Sequence, residues 1–183
     1  MPGCHSAVAK TRALPAIWLV TDARNDERLE RTLRRLPRGS GLIFRHYHLE
    51  DKDRDARFAS LTRAARRRGH LVALSGTAGE ARRQQAGAAY GAARSLHAGP
   101  AMMRLVTVHS LREIARAQRI RADAIVLSPV FATRSHLEAV PLGPIRFRLL
   151  ARHACVPVIA LGGMTERHAR RLRWQRWAAI DGL

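Results

Sequence analysis

Ser128-Pro129-Val130-Phe131-Ala132-Thr133-Arg134-Ser135-His136 places hydroxyls, a guanidinium and an imidazole directly after the apolar run Ile125-Val126-Leu127. Pro141-Leu142-Gly143 follows, and then Val158-Ile159-Ala160-Leu161 leads into Gly162-Gly163. These are groups that hold anions. A Gly pair lets backbone N–H groups approach an oxyanion closely, because no Cβ intervenes. Thr133 and Ser135 offer hydroxyls, and His136 can hydrogen-bond a phosphate or exchange a proton near neutral pH. Arg45, at the end of another apolar run, can clamp an anion through two parallel N–H bonds. The plainer alternatives are a solvated loop, a rim salt bridge and a simple strand-to-helix turn.

Such residues act together only if strands carry them to one place. Short apolar runs recur at 17–21, 41–45, 70–75, 104–108, 124–128, 156–161 and 177–180, with a weaker one at 88–91. Between them, helical spacing predicts helices over 26–36, 54–68, 78–85, 110–119, 145–153 and 165–173. Ser110 with Glu113 three residues on reads as a capping box. Strand and helix alternate, so the sheet is parallel, and seven or eight units imply a closed barrel whose chemistry sits at the carboxyl ends of the strands. The expectation is one compact TIM-type (β/α)8 barrel over 15–183, after a disordered segment 1–14. Its fourth helix is weak or missing between Tyr90 and Met103, and its eighth is missing after 177–180. That second gap would expose Trp174 and Trp177, which a homodimer would cover.

The 183 residues carry a formal charge of +19, with only Lys10 and Lys52 as lysines among 33 basic residues. Such a charge favours anionic partners. The arginines are spread over every predicted helix, and aromatics make up only 5%. Neither a basic stripe nor a stacking platform emerges, which argues against a nucleic-acid module. No apolar run reaches membrane-spanning length, and the first twelve residues lack the apolar core of a secretory signal, so the expected compartment is the cytoplasm. Cys4 and Cys155 suit neither a metal site nor a disulfide framework, and Cys155 reads as a small core residue.

The order of these pieces resembles the thiamine phosphate synthase/TenI family. That family has G-P-V-F-x-T-x-[ST]-K, then P-L-G, then a strand ending A-I-G-G, and it opens with Y-L-V-T-D, similar to Trp18-Leu19-Val20-Thr21-Asp22. The resemblance runs from about residue 16 to about residue 181. It implies a barrel that joins a pyrimidine pyrophosphate to a thiazole phosphate. It further implies Arg45, Thr133, Ser135 and His136 on the pyrophosphate, and Gly162-Gly163 on the thiazole phosphate. Mg²⁺ would be expected, but Ser75-Gly76 replaces the family's Asn-Asp, and the region 90–100 holds no carboxylate at all. No metal ligand is therefore assigned. Ile43 and Tyr47 stand at the family's Gln and Lys positions, His136 at another Lys, and Asp181 where a Ser supports phosphate. His109 reads as part of a helix cap and Asp22 as structural. Three functions stay open: a synthase, a non-catalytic binder or sensor of a phosphorylated or thiazole-type small molecule, and a TenI-like acid–base isomerase of a thiazole. Pro129 occupies the position of the tautomerase His and argues against the last.

Overall fold

Short apolar runs form strands here because both of their faces are buried, one inside a barrel and the other under helices. A computed structural model describes residues 14–134, 138 and 140–183. Its strands are β1 (Ile17–Val20), β2 (Gly41–Phe44), β3 (Leu71–Ser75), β4 (Ala88–Gly91), β5 (Met103–Val108), β6 (Ala124–Leu127), β7 (Val158–Ala160) and β8 (Trp177–Ala179). Each pairs in parallel with the next, and β8 pairs with β1. The result is an eight-stranded TIM-type (β/α)8 barrel. A 3-10 turn (Ala23–Arg28) runs into α1 (Leu29–Arg35). The remaining helices are α2 (Asp51–Arg66), α3 (Ala78–Arg83), α4 (Ala93–Leu96), α5 (Leu111–Arg119), α6 (Gly143–Ala151) and α7 (Glu166–Leu172).

The weak run at 88–91 is a true strand. The helix after it shrinks to the single turn α4, where Gly99 at φ +107° and then Pro100 rule out continuation. Among the described residues no helix follows β8. No helix is long and apolar enough to cross a membrane.

Alternation along the strands separates two cores. Trp18, Val20, Ile43, Leu105, Val126 and Ile159 fill the barrel, while Leu19, Leu42, Phe44, Val106 and Ile125 face the helices. Trp18 is the largest interior residue and is fully buried, with its indole N–H donating to the Pro15 carbonyl at 3.0 Å. It fits because its register partner on β2 is Gly41, where a Cβ would lie 2.1 Å from Trp18 Cε3. A large and a small residue on paired strands thus complement each other in the interior.

Two expectations are corrected. Cys155 is exposed, because it precedes β7 in a turn outside the sheet. Trp177 is buried and Trp174 half-buried, so neither presents the exposed apolar surface expected of them. Trp174 donates its indole N–H to the Val158 carbonyl and packs edge-on against Phe147. The expected disorder of 1–14 concerns residues that, up to 13, lie outside the described ones, as does Cys4.

Gly41→Ala should overpack the barrel beneath Trp18. The expected loss is about 3 kcal/mol, read as a lower urea midpoint at an unchanged slope. A midpoint like that of the parent would contradict this packing.

Candidate functional site

The carboxyl ends of the strands open into a cleft of about 1050 Å³. Each strand delivers a different group to it. Arg45 and Tyr47 follow β2, Tyr90 lies on β4, and Thr107 lies on β5 with His109 just beyond. Ser128 and Pro129 follow β6, Gly162 follows β7 and Ile180 follows β8. The long loop after β6 adds Thr133 and Glu138, and α6 adds Arg146. Leu142, Leu161, Val140 and Ile180 supply apolar wall. The cleft therefore combines apolar surface with three basic side chains and one carboxylate, which suits a flat or apolar ligand carrying negative charge.

Arg45 is held by a buried relay. Its backbone N–H donates to Thr21 Oγ1 at 2.8 Å. The same hydroxyl meets His46 Nδ1 at 2.6 Å, and His46 Nε2 meets Asp26 Oδ1 at 2.8 Å. A neutral His46 with its proton on Nε2 satisfies every partner: it donates to Asp26 and accepts from Thr21. His46 is fully buried and stacks on Phe44. Burial pushes its pKa below the ordinary 6.5, although the Asp26 hydrogen bond and charge oppose this. Burial acts to raise the Asp26 carboxyl, but hydrogen bonds from His46 and Arg57 outweigh it and hold it below 3.8. Arg57 also pairs with Glu30, tying α2 to α1. The Arg45 guanidinium lies 5.8 Å from the centre of the Tyr47 ring, and its buried Nε has no hydrogen-bond partner among the described residues.

Next to Arg45, the Tyr47 hydroxyl and Ser75 Oγ lie 2.5 Å apart, and Arg54 Nη2 donates to the Ser75 carbonyl at 2.7 Å. Burial raises the pKa of the Tyr90 phenol, and the positive charge of Arg45 and a hydrogen bond with Thr107 partly offset this. His109 Nδ1 is 2.7 Å from the Ser128 carbonyl, so Nδ1 carries a proton and Nε2 is left for other partners.

Gly162 and Gly163 have φ values of +95° and +60°. A Cβ on Gly162 would lie 2.6 Å from Pro129 Cα, and one on Gly163 2.3 Å from the Ala132 carbonyl oxygen. The pair thus lets the β7 loop lie against the β6 loop, whose Val130 and Phe131 N–H groups donate to the Leu161 and Gly162 carbonyls. Thr165 caps α7 by accepting from the His168 N–H.

Of the residues singled out from sequence, Arg45, Thr133 and Gly162 line one cleft, and Gly163 does not line it. Ser135 and His136 lie outside the described residues. Asp22 caps the 3-10 turn and pairs with Arg24, which also reaches Asp181 at 3.5 Å. Neither carboxylate lines the cleft. Ser110 caps α5 as expected, but Glu113 bonds the His109 N–H instead of completing the box on Ser110. Tyr90 and Arg146 draw no functional reading from the sequence, and His109, expected only in a helix cap, lines the cleft as well. The position of His109 just past the end of a barrel strand was the available signal.

Residues 17–182 match the profile of the family described as "Thiamine monophosphate synthase". The chain belongs to that family. A segment of 65 residues is 34% identical to the thiamine-phosphate synthase of Chloroflexus aurantiacus, covering 35% of this chain and 30% of that protein. The chain spans about a third of the length of the curated relatives it matches. Its fold is similar to that of the thiamine phosphate pyrophosphorylase from Pyrococcus furiosus, at a TM-score of 0.74 and 20% identity over 90% of this chain and 84% of that one. The enzyme of the same name from Bacteroides thetaiotaomicron aligns at 0.57 and 16% identity, over 91% of this chain and 82% of that one.

The family resemblance implies Mg²⁺, and the residues here do not fit it. Mg²⁺ depends on carboxylate oxygens. Where the family carries its Asp, this chain has Gly76 at φ +155°, and a Cβ there would lie 2.6 Å from Glu80 Oε2. Glu80 Oε2 there accepts from both Thr77 N–H and Thr77 Oγ1. Among the described residues no three His, Cys, Asp or Glu side chains converge.

Stability should fall on acidification. The unfolded chain takes up the His46 proton more readily than the folded one, so stability falls as pH drops below 6.5, and again as Asp26 protonates below 3.8. Urea midpoints measured from about pH 8 to about pH 5 should decline, and His46→Gln should flatten that part of the curve. An unchanged slope in the variant would contradict the relay.

Proposed function

We propose that this protein is a thiamine phosphate synthase-like transferase of thiamine biosynthesis. It would join a pyrimidine pyrophosphate to a thiazole phosphate at the mouth of the barrel. The observation that carries this reading is the meeting of Arg45, Thr133 and Gly162, from three separate motifs, on one apolar-walled cleft. In the reaction the thiazole ring nitrogen attacks the methylene carbon of the pyrimidine. The bond from that carbon to the pyrophosphate oxygen breaks, and pyrophosphate leaves with the electron pair. Charge builds on the leaving group, so cations fixed beside it lower the barrier. Arg45 and Thr133 take this role, together with Ser135 and His136. Gly162-Gly163 receives the thiazole phosphate, and the apolar wall orders the two rings for attack. An enzyme of phosphorylated precursors would work in the cytoplasm.

The test is an assay of the purified protein with both substrates, scoring thiamine phosphate. Product should form, and Arg45→Ala should lower kcat/KM about a hundredfold. A second reading, a binder without turnover, is favoured by Gly76 standing at the metal-ligand position. It predicts that thiazole phosphate raises the melting temperature while no product forms.

A further inference from the structure

We infer that the barrel mouth holds a pyrophosphate-type anion with two guanidinium groups, Arg45 and Arg146, in place of a divalent metal ion. This rests on reading the cleft as the site of a phosphorylated ligand. Synthase chemistry on pyrophosphate needs positive charge beside the leaving group. This chain has Gly76 where the family carries one carboxylate, and residues 90–100 hold none. Glu138 is the single carboxylate on the described cleft lining.

The charge comes instead from arginine. Arg45 follows β2 and Arg146 lies beyond β6, and these strands stand opposite each other in a ring of eight. An anion in the cleft is therefore approached from two sides. Arg45 lines the cleft, and its buried Nε–H has no acceptor among the described residues. Arg146 is exposed and forms no ion pair among the described residues. Two guanidinium groups match the charge of a divalent cation and grip phosphate oxygens in pairs. Arg54, fixed on the Ser75 carbonyl, adds further positive charge beside the segment where the family places its metal ligand.

The experiment is calorimetric titration of inorganic pyrophosphate into the whole protein, in EDTA and again with Mg²⁺. One site should bind in EDTA, with an affinity that Mg²⁺ changes less than about twofold. Arg146→Ala should weaken binding roughly ten- to a hundredfold. Arg63→Ala, on the exposed face of α2, should not, which separates a built site from the general attraction of a basic chain. Circular dichroism of Arg146→Ala checks that the barrel is intact. Binding that requires Mg²⁺, binding that survives Arg146→Ala, or no binding in EDTA overturns the inference. Thiamine phosphate formed only with Mg²⁺ would overturn it while leaving the synthase reading intact. Pyrophosphate bound in EDTA without turnover on the two substrates would do the reverse.

Discussion

An eight-stranded barrel closes only when its interior is filled, and here the filling turns on one large side chain seated over an absent one. Trp18 lies across Gly41 on the neighbouring strand, in a space any Cβ would occupy. Closure sets the tilt and register of every strand. That in turn fixes where Arg45, Tyr90, Thr107 and Gly162 emerge. The mouth is thus a consequence of packing at the barrel floor and middle, and its side chains inherit the precision of the sheet.

Around the mouth, short polar relays convert strand positions into side-chain positions. Thr21, His46 and Asp26 link the end of β1, the end of β2 and the turn before α1, so the Arg45 backbone is anchored by a buried hydroxyl. The two glycines after β7 let that loop share backbone hydrogen bonds with the loop after β6. The same residues that suit an anion are therefore demanded by loop packing. That close loop contact has one structural cause, the lack of a Cβ.

The balance of charge at this mouth separates the chain from a carboxylate-built metal site. Asp22 and Asp181 are engaged with Arg24 beside the cleft, and Gly76 offers no side chain at the position where the family carries a carboxylate. The polar groups that remain on the cleft are three basic side chains, five hydroxyls and the single carboxylate of Glu138. Phosphoryl groups are well served by either a metal or by arginines, since both neutralise charge that develops on a leaving oxygen.

Much of this was legible in sequence, for reasons that particular residues make clear. Seven strands were readable, and that at 88–91 weakly, because most strand residues are buried and form short apolar runs, although β5 carries Arg104 and Thr107. Ser110 and Thr165 mark their helix starts by side-chain chemistry. The loop motif and the Gly pair were readable because local backbone demands single residue types. Tyr90, Arg146 and His109 were not, since only barrel closure brings β4, β5 and α6 to one cleft. Cys155 and Trp177 were misplaced because burial at strand ends depends on neighbouring helices, which no local pattern reports. The most direct test of the central claim is a crystal structure of the protein with thiazole phosphate. The phosphate should lie on the Gly162-Gly163 loop with the ring inside the mouth. Phosphate bound elsewhere, such as in the basic groove between α4 and α5, would contradict the account.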